Sequence, residues 1–117
     1  TRGWKTFTIH DEPYIKNYLG KDGPAKNVRV IATANLPPEK PQAEPVAWAV
    51  ERADGGRGAA VMMPHFYRNW QNDDLRTLIL NCIVWAAQQE VPKDGVQIAL
   101  PDLATFKPVA VEPGGKK

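Results

Sequence analysis

The sequence predicts an α/β domain in which a sheet packs against a helix, and three observations carry that reading. Two apolar runs, 45–51 and 59–63, flank the glycine-rich stretch 54–58, the pattern of a β-hairpin. Leu75, Leu78, Ile79, Cys82, Trp85 and Ala86 recur at spacings of three and four, giving one apolar stripe along a helix. Both hairpin strands are apolar on both faces, which suits a sheet covered on each side rather than a half-exposed ribbon.

In chain order, the aromatic and β-branched run 4–9 predicts a short strand, and the polar, glycine-bearing stretch up to Lys26 a loop. Val28, Val30 and Ala32 alternate with Arg29, Ile31 and Thr33, so a second strand is expected here and Asn35 is expected to stop it. Pro37, Pro38 and Pro41 lack backbone donors, so 36–44 reads as an exposed connector before the hairpin. After a loop over 64–71, Asn72 or Asp73 caps a helix expected to run to about Gln89, with Arg76, Thr77 and Gln88 facing away from the sheet. Pro92 and Gly95 break the chain, 96–100 reads as a final short strand or an extended strap, and 101–117 as an extended or disordered tail.

One long helix cannot cover both faces of such a sheet, so residues 1–100 read as the C-terminal portion of a larger α/β domain. Exposed apolar surface, unpaired strand edges, a second copy of the chain or a preceding segment over the sheet are the expected signs. The chain begins at Thr1 without a charged-then-apolar leader, which reads as an excised segment and leaves localisation unknown.

Composition removes several function classes. Fifteen Lys and Arg against thirteen Asp and Glu leave a net charge of +2, too small for a strongly basic nucleic-acid binder. No apolar run approaches the roughly 18 to 20 residues that cross a bilayer. A single cysteine, Cys82, excludes an internal disulfide and a multi-cysteine zinc site, and its place on the apolar stripe makes it a buried small hydrophobe. The turn glycines join two antiparallel strands and open no helix, so they are not a dinucleotide fingerprint. No cofactor is expected.

Several short motifs stand in a suggestive order. Asp11-Glu12-Pro13-Tyr14 follows Thr1-Arg2-Gly3; then come Pro45-Val46-Ala47-Trp48, Asp54-Gly55-Gly56-Arg57-Gly58, Pro64-His65-Phe66-Tyr67-Arg68-Asn69-Trp70 and Leu80-Asn81-Cys82-Ile83-Val84-Trp85-Ala86-Ala87. Over residues 1–96 the set resembles the C-terminal half of a ThuA-like (trehalose utilisation) domain. The resemblance implies a flavodoxin-like three-layer fold of the class I glutamine amidotransferase-like superfamily, of which this chain supplies only the C-terminal part, with a β-hairpin and a long C-terminal helix. It also implies a role in bacterial carbohydrate metabolism, on trehalose or related disaccharides and their keto-sugars.

By that resemblance His65, just past the second hairpin strand, occupies the position of a catalytic histidine. Tyr67 stands where the amidotransferase relatives carry a carboxylate, and Cys82 follows the histidine instead of preceding it, so glutamine amidotransfer is not expected. Asp11 is the second catalytic candidate, as a general base; Glu12, Tyr14, Tyr67, Asn69 and Trp70 are candidates for binding sugar hydroxyls and ring faces. Each has a plainer reading: His65 and Asp11 as loop-shaping hydrogen-bond partners, Tyr14 and Trp70 as packing residues. His10, Asp11 and Glu12 are adjacent on an extended segment and point to opposite sides, so no metal site is assigned.

Arg57 reads as a solvated turn arginine, Trp48 and Trp85 as packing residues, and Lys116 and Lys117 as part of the tail. The expected partner is a small carbohydrate, with no nucleic acid and no membrane. A shared site requires His65, Asp11, Tyr14 and Asn69 to converge on one hollow within about 10 Å. The alternative function is a non-catalytic interaction module on an amidotransferase-like scaffold.

Overall fold

The structure, a computed structural model, describes residues 2–106. Strands β1 (Val28–Leu36), β2 (Gln42–Glu51) and β3 (Arg57–Val61) form one antiparallel sheet in the order β1-β2-β3, and helix α1 (Asp73–Ala86) packs on it. This is a small α/β arrangement with three strands, where the sequence suggested four or five. The hairpin forms as expected. Arg52 N–H donates to the Gly56 carbonyl at 2.8 Å, Asp54 accepts from Gly56 N–H at 3.0 Å, and Gly55 takes the left-handed φ of 83° that the reversal requires.

Strand alternation puts Val46, Trp48 and Val50 on one face of β2 and Ala47, Ala49 and Glu51 on the other. The second face meets the helix: Ala47, Leu78 and Cys82 form the buried cluster, with Trp4, Ile31, Ala32 and Val61 packed around it. Glu44, at the start of the first face, is buried and accepts from Lys16 N–H at 3.1 Å, while Asn17 reaches the Pro45 carbonyl at 3.5 Å. The N-terminal loop thus lies against that end of the strand.

Asn35 does not stop β1. The strand runs on to Leu36 because β2 begins at Gln42 and offers partners, Ala43 opposite Asn35 and Gln42 opposite Leu36. The expected connector 36–44 shrinks accordingly. Register slips around Ala32 leave Ile31 without a partner, a bulge in an edge strand. Among the described residues the outer edges of β1 and β3 are unpaired, and Val30 and Ile83 are exposed apolar side chains.

The helix starts where expected. The Asn72 side chain accepts from Leu75 N–H at 2.9 Å, a cap worth about 1 kcal/mol, and Asp73 and Asp74 sit in the positive first turn. It is shorter than the long C-terminal helix expected, 14 residues ending at Ala86 rather than near Gln89. The cause is Gln88, whose left-handed φ of 61° turns the chain so that the amides of residues 87–89 close back on the Ile83, Trp85 and Val84 carbonyls.

Arg76 and Thr77, on the side of the helix expected to face away from the sheet, are buried. Extended segments cover that side of the helix. Asn81 donates to the Arg2 carbonyl at 2.7 Å and accepts from Val96 N–H at 2.9 Å, and Asp74 accepts from Lys5 N–H at 2.8 Å. Arg76 donates in place to Asp73 and, at 2.6 Å, to the Trp70 carbonyl, while its buried Nε has no partner among the described residues. The run 4–9 forms no strand, and its Lys5 N–H goes to the Asp74 side chain of α1 rather than to a strand edge.

The two extended segments cross closely. A Cβ on Gly3 would collide with the Asp94 carbonyl, and one on Gly95 would lie 2.5 Å from the Arg2 carbonyl oxygen. Residues 96–100 form no strand, and Leu103–Phe106 is a short 3-10 helix where an extended tail was expected; the tail from residue 107 onward lies outside the described residues. No helix among the described residues is long and apolar enough to cross a membrane.

Candidate functional site

The chain leaves β3 through Met62, Met63 and Pro64 and enters the loop that carries His65, followed by a 3-10 helix, Tyr67–Gln71. Facing this loop is the extended N-terminal stretch His10–Asp11–Glu12. Two side chains tie them together in opposite senses. Asp11 Oδ1 accepts from His65 N–H at 2.9 Å and Phe66 N–H at 3.2 Å, and also from its neighbour Glu12 N–H at 2.9 Å. Asn69, buried at 8% exposure, donates its amide to the His10 carbonyl at 2.8 Å.

Asp11 is therefore ionised below the ordinary carboxylate range. Burial alone would push its carboxyl up, but the Glu12 and His65 N–H groups, the Asn69 amide and the Phe66 N–H together outweigh that. Asp11 Oδ2 is buried with no hydrogen-bond partner.

What the clamp presents to solvent is a pair of exposed side chains. His65 Nε2 lies 3.7 Å from Glu12 Oε2, with the two side chains 60% and 66% exposed. At that exposure the pair holds little energy, about 0–1 kcal/mol, so both groups are free to meet a ligand. Beside them His10 stacks on the Phe66 ring at 5.6 Å and His65 meets its edge at 5.1 Å. Arg68 lies over the same ring at 4.7 Å and bonds His10 Nδ1 at 2.9 Å.

The structure brings together His65, Asp11, Glu12 and Asn69, while the contacts of the other candidates go to different partners. Tyr14 is 78% exposed, and its carbonyl accepts from Asn17. The Tyr67 hydroxyl donates to the Leu103 carbonyl at 2.9 Å, and Trp70 is half-buried with its carbonyl bound by Arg76. Arg68 was missed from the sequence; its place two residues after Phe66 is the one signal that could have found it. Arg57 is no solvated turn residue: it opens β3, lies 5.0 Å from the Trp85 ring centroid and pairs with Glu51 at 3.7 Å.

The two best-formed hollows lie away from the His65 cluster. A basin of about 700 Å³ lies between α1 and the sheet, and a small one of about 60 Å³ lies beside Asp73 and Arg76. Among the described residues no group of three or more His, Cys, Asp or Glu side chains is placed to hold a metal ion. No family model matches this chain, and neither curated proteins nor solved structures provide a match.

Proposed function

We propose that this chain is the C-terminal portion of a ThuA-like domain of carbohydrate metabolism, with a flavodoxin-like three-layer body, and that it holds trehalose or a related disaccharide or keto-sugar against the His65 loop. The single observation behind the reading is the Asp11 clamp. It fixes an exposed imidazole and an exposed carboxylate 3.7 Å apart, immediately past the end of β3, where α/β sheets commonly carry their ligands. His65 and Glu12 supply a proton-transferring pair, the Phe66 ring and Arg68 a surface for the sugar ring and its hydroxyls. Asp11 acts by holding the loop, since one of its oxygens is fully engaged with backbone N–H groups.

The test is calorimetric titration of trehalose, sucrose and their 3-keto derivatives into the protein and into its His65→Ala variant. Saccharide binding that is lost in the variant supports the reading, and binding that is unchanged removes His65 from the site. A second reading, an interaction module without catalysis, is favoured by the exposed apolar side chains Val30 and Ile83 and by the open outer edge of β1. Failure of all the saccharides to bind selects it.

A further inference from the structure

We propose that the basin between α1 and the sheet is a separate binding site for a small monoanion with a flat apolar body, such as an aromatic carboxylate. Four parts of the chain enclose it: the sheet face, the helix, the N-terminal segment at Arg2 and Trp4, and the stretch after the helix at residues 88–91. Its volume of about 700 Å³ falls within the roughly 300–1,000 Å³ common for small-ligand sites. Ile31, Ala49 and Leu78 give it an apolar lining, and Trp4 and Trp85 add aromatic surface, that of Trp85 shared with the Arg57 guanidinium.

Charge selects the ligand. Three arginines line the basin, Arg2, Arg29 and Arg57, against two acidic residues, Glu51 and Glu90. Arg2 pairs with Glu90 at 3.4 Å and Arg57 with Glu51 at 3.7 Å, which accounts for both acids. No described carboxylate lies within ion-pair distance of Arg29, leaving one uncompensated positive charge at the rim of an apolar hollow. A single negative head group answers it; a neutral ligand forfeits the contact and a cation is repelled. The Cys82 thiol on the same wall is held in its neutral form by burial, so the ligand is bound and not captured covalently.

The probes are 2-naphthoate and its neutral counterpart 2-naphthamide, titrated into the ¹⁵N-labelled protein and followed by amide and indole chemical shifts. Shifts are expected at the Trp4 and Trp85 indole N–H groups and at the Leu78 and Cys82 amides, with naphthoate binding about three- to tenfold tighter than the amide. In Arg29→Gln, an exposed change on an edge strand, that preference disappears while naphthamide binding persists. Equal binding of acid and amide, a preference that survives in Arg29→Gln, shifts centred on His65 and Phe66, or no shift at millimolar probe would each overturn the proposal.

Discussion

Asp11 Oδ1 accepts the His65 backbone N–H at 2.9 Å across 54 residues of sequence, and this one bond decides where the imidazole stands. Because the acceptor is charged and the donors are main-chain groups, the loop geometry depends on the ionisation of Asp11 more than on the side chains displayed above it.

That dependence sets a pH signature. The folded-state pKa of Asp11 lies below its ordinary value of 3.8, so its contribution to stability is fully present above that value and is lost as pH falls through the lower, folded-state pKa. Asp11→Asn mimics the protonated acid and is expected to cost about 1 kcal/mol at neutral pH, the gap between a charged and a neutral acceptor. Urea unfolding of both proteins from pH 7 to pH 2 should show that gap closing only in the acid range; a gap that stays constant would dismiss the charge of Asp11 as its cause.

The crossing of the two extended segments gives a contrast between glycines. Gly55 has a left-handed φ but open space around its Cα, so Gly55→Ala should cost about 1 kcal/mol through backbone strain alone. At Gly95 the new methyl would also press on the Arg2 carbonyl at 2.5 Å and on Thr77 Cγ2 at 2.7 Å, and Gly95→Ala should cost about 3 kcal/mol. Denaturation midpoints compare the two directly. Equal losses would mean that the crossing gives way freely.

Cys82 offers a check on burial. Desolvation raises its thiol pKa above 9.0, which suppresses the reactive thiolate, and the side chain is 9% exposed. Labelling with an aromatic disulfide at neutral pH should run at least about tenfold slower in the folded protein than in urea. A rate matching that of the unfolded chain would show the wall of the basin to be open at the sulfur.

The hairpin and the helix start were legible because their signals are local: glycines between two apolar runs, and an asparagine before a periodic stripe. The burial of Arg76 and Thr77 was not. It depends on Asn81 binding Arg2 and Val96, residues 79 and 15 positions away, and no periodicity reports such a contact. The run 4–9 failed as a strand for a related reason, since its composition suits an extended chain but not the choice of partner. At the site, the sequence marked His65, Asp11 and Asn69 as neighbours without revealing that one Asp11 oxygen and the Asn69 amide nitrogen are spent on backbone. Tyr14 and Tyr67 carry the right ring chemistry for a sugar, but Tyr14 stands exposed and the Tyr67 hydroxyl is spent on the Leu103 carbonyl.

The bulge at Ile31 has a bearing on how this chain behaves in a crowd. An open, nine-residue edge with apolar side chains is a ready template for cross-β growth, in which strands from other molecules add one after another. The unpaired residue bends that edge and breaks its repeat, so an incoming strand cannot zip along it without losing register. A defect in pairing thereby serves as protection against fibril formation.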